Sequence, residues 1–141
     1  MKIDYSKFNF TQDECEHMKK ETDILREKNS DHIPILIMVK SSVLTMQKQK
    51  FLVSNDITFS DFITNTLKKK LIGLHTDDTL TIHTIKLDGD NKSSEITVNS
   101  ELIKDIYEEF KDPCTNLLIL KISRMTTFKY LKSSLKYWSG Y

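Results

Sequence analysis

The chain has 141 residues, of which 38% are hydrophobic and 29% are charged, and its formal net charge is +1. This length suits one domain of roughly 100–150 residues, and the scarcity of glycine and proline argues against long linkers and a second domain. The near-neutral charge gives no bulk attraction to nucleic acid or membranes, and no apolar run approaches the ~20 residues of a membrane-spanning helix.

Neither metal binding nor catalysis is indicated by the motifs. Cys15 and Cys114 are far apart in the sequence and have no metal-ligand spacing, so we expect reduced cytosolic thiols. The sequence contains no GxSxG, P-loop or HExxH motif and no Cys–His pair at a telling spacing. We therefore expect no enzyme activity, no metal and no cofactor. The first ten residues lack the long apolar segment of a signal peptide.

The N-terminal part is predicted to be a surface helix preceded by an arm. Residues 1–10 show no periodicity and are expected to be loose. Thr11 and Glu14 form a TxxE capping box, which predicts a helix to about Lys28. Its apolar stripe is thin and the rest is charged, so the helix should lie on the domain surface, either continuous or broken near Lys19–Thr22.

Two strands are predicted next, as a hairpin. The run IPILIMV at 33–39 is apolar throughout, which predicts a strand buried on both faces, with Pro34 tolerated at its start. The segment 48–53 should pair antiparallel with it, and Ser54-Asn55-Asp56 has the chemistry of a turn.

A capped helix over 58–71 follows this turn. Thr58 stands three residues before Asp61, as in a capping box. Apolar residues at 59, 62, 63, 67 and 71 favour one buried helix face. Lysines at 68–70 suit the end of the helix dipole, and Gly73 offers a stop.

The remaining segments complete the sheet. Thr79–Ile85 alternates strictly and predicts a strand with one wet face. Residues 87–95 are polar and are expected to form a flexible insertion. A helix is predicted from about Ser100 to Phe110, and Leu117–Ile122 should be a second central strand. The tail 129–141 is basic and aromatic, without a clear period.

The order α, β, β, α, β, α, β predicts an α+β fold: a β-grasp (ubiquitin-like) four-stranded mixed sheet with an N-terminal helical extension. The first and last strands should be interior, the helix at 58–71 should cover one face, and the N-terminal helices should cover the other. The predicted units are an arm with helices at 1–28, the ubiquitin-like domain at 29–128, and a tail at 129–141.

Three blocks of the sequence resemble the autophagy ubiquitin-like modifiers, the GABARAP-type proteins (autophagy-related protein eight in yeast). LREKNSDHIPIL at 25–36 is similar to their IRxKYPDRVPVI. KQKFLVSNDITFSDFITNTLKKKL at 48–71 is similar to KKYLVPxDLTVxxFxxxIRKRI, with one extra residue in the helix. IYEEFKDPCTNLLILKISRMTTF at 106–128 is similar to LYxEHxDxDGFLYxxYSxxxTFG. The resemblance covers roughly residues 12–128, and its most specific part is 48–62.

This resemblance implies a groove that receives cargo receptors and adaptors carrying an aromatic-x-x-aliphatic motif, which adds as a strand to the sheet edge. By position, the first pocket would be formed by Leu25, Pro34, Leu36, Lys50, Leu52 and Leu117. The second would contain Phe51, Val53, Ile57 and Phe62, with Ile63 beside them. Lys48 and Lys50 would meet acidic residues that flank such motifs.

A packing interpretation stays open, because Leu36, Leu52, Phe62 and Leu117 would be core residues in any β-grasp. In addition, His32 stands where the family usually has Arg, and a neutral imidazole cannot anchor a carboxylate as Arg does.

The resemblance also implies conjugation of a C-terminal glycine to phosphatidylethanolamine, served by ubiquitin-like activating and conjugating enzymes. Here Lys129 follows Thr127-Phe128, and Gly140 is the only glycine downstream. One interpretation is that a processing cysteine protease removes Tyr141 and that Gly140 is conjugated. The alternative is that conjugation has been lost.

Two further readings of the tail remain. Trp138 upstream of the glycine is similar to the ending of autophagy-related protein twelve, which implies conjugation to a protein. Lysines at 129, 132 and 136 with Tyr137 and Trp138 could meet a lipid interface, or form a solvated end.

The leading hypothesis is therefore a ubiquitin-like modifier and adaptor of autophagy, cytoplasmic and partly on autophagosomal or other vesicle membranes through its lipid. The alternative is a non-conjugated interaction domain. No nucleic-acid partner is expected.

Overall fold

The computed structural model describes residues 2–5, 7, 9–41, 43–75, 78–87 and 92–125. This part of the chain forms seven strands and three helices. The strands are β1 His32–Val39, β2 Thr45–Met46, β3 Lys50–Ser54, β4 Leu71–Ile72, β5 Thr79–Lys86, β6 Lys92–Ile96 and β7 Leu118–Met125. The helices are α1 Gln12–Lys28, a composite helix α2 over residues 59–70, and α3 Ile103–Phe110.

Within the described residues, the main sheet has five strands in the order β3–β1–β7–β5–β6. The two apolar strands β1 and β7 run parallel at its centre, and the other pairings are antiparallel. The structure thus confirms the α+β, ubiquitin-like class and the interior position of the first and last predicted strands. It also places β3 at one edge of the sheet, which is the position that the implied groove needs.

The strand β6 was not predicted. The expectation of a flexible polar insertion over residues 87–95 is wrong for residues 92–95. These residues and Ile96 form β6, which pairs with β5 from Lys86↔Lys92 to Ile82↔Ile96. Only Ile96 of this strand is buried. A strand with a single buried side chain has no apolar alternation to reveal it, and its main-chain ladder to β5 holds it in place. The sheet therefore has five strands instead of four.

The sheet has a separate core on each face. Helix α2 and α3 cover one face, where Phe59, Phe62, Ile103 and Tyr107 pack on the sheet. Helix α1 covers the opposite face, where Met18 packs with the β1 residues Leu36 and Met38 and with Ile119 of β7, among others. Because β1 lies between the two cores, all six residues from 33 to 38 are buried, as its apolar run predicted.

Helix α1 begins with the predicted capping box. The Glu14 N–H donates to Thr11 Oγ1, and the Thr11 N–H donates to Glu14 Oε1. The helix is continuous to Lys28, so the break considered near residues 19–22 is not present. The hydroxyl of Thr22 in that region donates to the Met18 carbonyl, which satisfies a buried polar side chain within the helix.

The expectation of a loose arm is wrong for its described residues. Ile3, Tyr5 and Phe10 pack against the core beneath α1. The Lys7 ammonium lies 2.7 Å from Glu14 Oε1. The arm therefore follows the surface of the domain, although its sequence has no periodic pattern.

Helix α2 absorbs an extra residue as a π-helical segment. Its first turn, Phe59–Asp61, is α-helical and capped by Thr58, whose hydroxyl accepts from the Asp61 N–H. The segment Phe62–Leu67 is a π-helix, in which the Lys68 N–H bonds the Ile63 carbonyl five residues back. Since π-helical segments commonly occur as single turns within α-helices, this segment accounts for the one residue by which the helix exceeds the family pattern.

Removing Asn65 tests this account of α2. Asn65 is exposed within the π-helical segment, and its deletion would put Leu67 at α-helical spacing from Phe62 and Ile63. We expect a folded protein whose free energy of unfolding lies within about 1 kcal/mol of that of the full chain. Chemical denaturation followed by circular dichroism measures the difference.

Deletion of Asp105 is the matched control. Asp105 is also exposed, but it lies in the regular helix α3. Its loss rotates Ile106 and Tyr107 out of the core, so we expect a cost of roughly 2 kcal/mol or more. An equal loss of stability in both deletions would contradict the assignment of the extra residue to the π-helical segment.

Candidate partner-binding groove

The edge strand β3 leaves every second backbone unit unpaired with β1. The Ile37 N–H donates to the Gln49 carbonyl at 2.8 Å, and the Asn55 N–H donates to the Asp31 carbonyl at 2.9 Å. Hydrogen-bonded pairs alternate along an antiparallel ladder. The intervening Phe51 and Val53 therefore bond β1, whereas the N–H and C=O groups of Lys50 and Leu52 point away from the sheet.

Proline at position 34 fits this register. Pro34 lies opposite Leu52, and it has no N–H to donate. It therefore occupies a pair that exchanges no hydrogen bonds across the hairpin. In this register the proline removes no hydrogen bond between β1 and β3. The same register directs the Leu52 N–H outward.

The side chains of β3 alternate between the two faces of the sheet. Phe51 lies opposite Ile35 in the core on the α2 side. Lys50 and Leu52 consequently point to the α1 side. The two groups of residues predicted for two pockets are thus separated by the edge strand itself, although Phe51 of the second group also borders the cavity on the α1 face.

The α1 face carries an open cavity of about 190 Å³. Five of the six residues predicted for the first pocket line it: Leu25, Pro34, Lys50, Leu52 and Leu117. Leu25 and Leu52 are 41% and 37% exposed, although both are apolar. The sixth residue, Leu36, has no exposed surface and packs beneath the cavity in the core of this face.

The α2 face brings the second group together more tightly. Phe51 and Phe62 pack edge to face with ring centroids 5.8 Å apart, and Phe62 and Ile63 are buried. Val53 and Ile57 are half-buried and pack against the same core. The packing interpretation concerned Leu36, Leu52, Phe62 and Leu117, of which three are buried and Leu52 is 37% exposed. Val53 and Ile57 retain accessible surface.

Lysine side chains make the rim of the groove basic. Lys48 precedes β3 and lines the cavity together with Lys50. The Lys50 ammonium is 3.4 Å from Glu21 Oε2 of α1, an exposed ion pair of small energetic weight. Burial works to lower the pKa of Lys50, but contacts with Tyr5 and Glu21 outweigh it and raise this pKa above its usual value. Lys50 is therefore a cation at neutral pH.

The α1 wall of the cavity is fixed at the C-terminal end of that helix. The Asn116 side-chain amide donates to Asp23 Oδ1 at 3.0 Å, and the Arg26 guanidinium stacks 4.7 Å from the centroid of the Tyr107 ring. The Tyr107 hydroxyl in turn donates to the Asn116 carbonyl. These contacts join α1 to α3 and to the loop before β7, which carries Leu117 into the cavity wall.

That loop is stabilised by a fully buried carboxylate. Asp112 accepts hydrogen bonds from the Leu87 N–H and from the Thr115 hydroxyl, at 2.6 and 2.7 Å. A buried carboxylate requires such donors. The end of β5 and the start of β7 are thereby held together below the cavity.

His32 is engaged with its sequence neighbour. Its Nδ1 lies 2.8 Å from Asp31 Oδ1, and this hydrogen bond holds the pKa of Asp31 below its usual range. The histidine that replaces the family's arginine thus contacts its own turn at the start of β1.

Sequence reasoning missed several lining residues. Met18, Glu21 and Thr22 of α1 contribute to the cavity, and so does Tyr5 of the arm. Met18 and Thr22 belong to the apolar stripe of α1, which could have identified them. No pattern in residues 1–10 singles out Tyr5. The predicted conjugation residue Gly140 lies outside the described residues.

The helices in the described part of the chain are all too short or too polar to span a bilayer.

Comparisons with known proteins agree with this architecture. The family model described as "Autophagy protein Atg8 ubiquitin like" matches residues 17–129. Autophagy-related protein 8 of Colletotrichum lindemuthianum is 30% identical over 99 residues, which cover 69% of this chain and 74% of that protein. The protein of the same name from Neurospora crassa gives the same values.

The crystal structure of Trypanosoma brucei ATG8 matches with a TM-score of 0.64 and 25% sequence identity, over 90% of this chain and 99% of that chain. The family match covers all three blocks on which the resemblance was based. It confirms the prediction made from them: the chain belongs to the Atg8 family of ubiquitin-like autophagy proteins.

Proposed function

We propose that this chain is a ubiquitin-like modifier that recruits cargo receptors and adaptors by accepting an aromatic-x-x-aliphatic segment as an additional strand on β3. The observation that carries the proposal is the outward direction of the Lys50 and Leu52 backbone groups beside an apolar cavity. Membership of the Atg8 family supports a role in autophagy.

The spacing of the motif fits the two faces of β3. Side chains three residues apart in an extended strand point to opposite faces. If one of them enters the α1-side cavity, the other reaches the α2 side, where Val53 and Ile57 are half-buried. A dry cavity of ~150 Å³ holds a benzene ring, so the cavity of about 190 Å³, with Tyr5 in its wall, is of the size of a single aromatic ring. The aliphatic residue would take the shallower α2 side.

Charge supports a partner with acidic flanking residues. Lys48 and Lys50 line the rim, where the ion pair between Lys50 and Glu21 is exposed and weak. An incoming carboxylate could replace Glu21 as the partner of Lys50 at little cost. Basic side chains at a rim contribute mainly to the association rate and to partner choice.

The proposal extends to conjugation through Gly140. Family membership supports activating and conjugating enzymes, a processing cysteine protease that removes Tyr141, and phosphatidylethanolamine as the acceptor. Glycine suits this chemistry because a thioester-bound terminus must pass through narrow enzyme clefts, where a side chain would clash. The modifier would then be cytoplasmic, with a fraction on autophagosomal or other vesicle membranes. It would act by binding and conjugation, without a catalytic site of its own.

Two alternatives share the groove and differ at the tail. The chain could act as a non-conjugated interaction domain, or as a modifier joined to a protein in the manner of autophagy-related protein twelve. Intact-mass measurement of the protein from its own cells separates the three cases: loss of Tyr141 with added lipid, a protein adduct, or neither.

A single proline tests strand addition on β3. In Leu52→Pro the outward N–H is lost, whereas the hydrogen bonds from Phe51 and Val53 to β1 remain, and an edge strand tolerates such a proline. We expect a folded protein that binds a Trp-x-x-Leu peptide with acidic flanks at least about tenfold more weakly than Leu52→Ala, since a buried main-chain hydrogen bond is lost. Isothermal titration calorimetry gives both affinities.

Leu52→Ala is the matched control, because it removes the same side chain and keeps the N–H. Equal affinities of Leu52→Pro and Leu52→Ala, with both proteins folded by circular dichroism, would show that the peptide does not pair with this edge.

Substitution of Gly140 tests the conjugation site. In Gly140→Ala a methyl group is added at the residue that must enter the enzyme clefts, so the membrane-pelleting, lipidated form should disappear in cells. Fractionation followed by intact-mass analysis measures it.

Removal of Tyr141 alone serves as the control, because it leaves Gly140 terminal and should preserve the lipidated form without protease action. A membrane-bound fraction of normal size in Gly140→Ala would exclude Gly140 as the site.

A further inference from the structure

An aromatic side chain of the chain itself lies at the proposed aromatic cavity. Tyr5 of the N-terminal arm lines the cavity on the α1 face, together with Leu25, Leu52 and Leu117. The Lys50 ammonium lies 4.4 Å from the centroid of the Tyr5 ring. Tyr5 therefore contacts the same lysine that faces the rim of the groove.

The arm is held by a few contacts on either side of Tyr5. The Gln49 side-chain amide donates to the Tyr5 carbonyl at 3.4 Å and also to the Ile37 carbonyl of β1. The Lys7 ammonium bonds Glu14 at the start of α1. Hydrogen bonds from Lys7 and then from the Thr11 N–H lower the pKa of Glu14, so this carboxylate is ionised at neutral pH.

The described residues of the arm form no ladder with the edge strand β3. Within the described residues no strand of the arm pairs with β3, whose ladder partner is β1. The arm thus supplies an aromatic ring to the cavity but leaves the outward N–H and C=O groups of Leu52 available. A partner strand can form those main-chain hydrogen bonds in addition to filling the cavity.

We propose that the N-terminal arm is an internal competitor of the partner motif, in which Tyr5 narrows the mouth of the aromatic cavity and must move aside before the larger indole ring of a partner's tryptophan enters. This inference rests on the proposed function of the groove. The sequence around Tyr5 shares one feature with a partner motif that has an acidic flank, because Asp4 directly precedes the aromatic residue. The residue three positions after Tyr5 is Phe8, so the aliphatic position of the motif is not reproduced.

The competition lowers the apparent affinity of partners for the groove. When the binding-competent state is only a fraction of the population, the apparent affinity falls by that fraction. A segment that presents an aromatic residue without pairing to β3 gains little over Tyr5, whereas a strand that pairs along the edge displaces it. The arm would therefore favour partners that engage both the cavity and the edge.

Peptide titration of the full chain tests the competition. The probe is a synthetic Trp-x-x-Leu peptide with acidic flanks, and its Kd is measured for the wild type and for Tyr5→Ala. We expect the Tyr5→Ala chain to bind about fivefold or more tightly, a typical size for coupling between two binding events. In Lys7→Glu the ion pair with Glu14 is replaced by repulsion between two carboxylates, while Tyr5 is retained. We expect this variant to bind the peptide more tightly as well.

Lys2→Ala is the matched control in the arm, because Lys2 is exposed and should leave the Kd unchanged. Equal or weaker peptide binding by Tyr5→Ala would overturn the inference, since Tyr5 would then be a part of the cavity wall that supports the bound peptide. Unchanged binding by Lys7→Glu would likewise overturn the role of the anchor.

A small aromatic probe separates this inference from the proposed function. Indole is titrated while the methyl resonances of Leu25 and Leu52 are followed by NMR. Stronger indole binding in Tyr5→Ala than in the wild type supports the competition even if the peptide binds neither chain, a result that would reject the groove as a motif receptor. Equal indole binding in both chains contradicts a restriction of the cavity mouth by Tyr5.

Discussion

The hydrogen-bond register between β1 and β3 is the constraint on which the candidate site depends. It assigns the backbone of Phe51 and Val53 to β1 and leaves that of Lys50 and Leu52 at the open edge. A slip of one residue would exchange both the bonding direction and the face of every side chain. Two features oppose such a slip: Pro34 cannot donate a ladder bond, and Phe51 fills the core against Phe62.

The two faces of the sheet beside β3 differ because a different core lies on each. Helix α1 stops short of filling the space above Leu52 and leaves an open cavity, while α2 packs Phe62 directly beneath Phe51. The sheet has a second edge at β6, whose residues Lys92, Ser93, Ser94 and Glu95 are all exposed. Charged side chains on an exposed edge discourage pairing with another chain. The edge at β3, in contrast, is flanked by an apolar cavity. We therefore expect a partner strand to add at β3 and not at β6.

Most of the fold could be predicted from the sequence because its strongest hydrophobic patterns mark buried segments. The continuous apolar runs of β1 and β7 identified central strands, and the Thr11–Glu14 pattern identified the start of α1. The family resemblance gave the positions of the first predicted pocket along the chain. Because the predicted elements are present in the structure, five of those residues line one cavity.

Other features had no local signal. β6 buries one side chain, so main-chain pairing with β5 defines it instead of hydrophobic alternation. The π-helical segment was visible only as one extra residue against the family pattern. The position of Tyr5 depends on contacts with Gln49 and Lys50, more than forty residues away in sequence. Such long-range contacts leave no periodicity in the arm.

Residue-resolved amide hydrogen exchange on β3 tests the central claim most directly. In the chain without peptide, the register predicts slow exchange for the amides of Phe51 and Val53 and fast exchange for that of Leu52. Saturation with a Trp-x-x-Leu peptide should then slow the Leu52 amide strongly and leave Phe51 and Val53 nearly unchanged. Slow exchange of Leu52 without peptide, or fast exchange that persists at saturation, would contradict an open edge that accepts a partner strand.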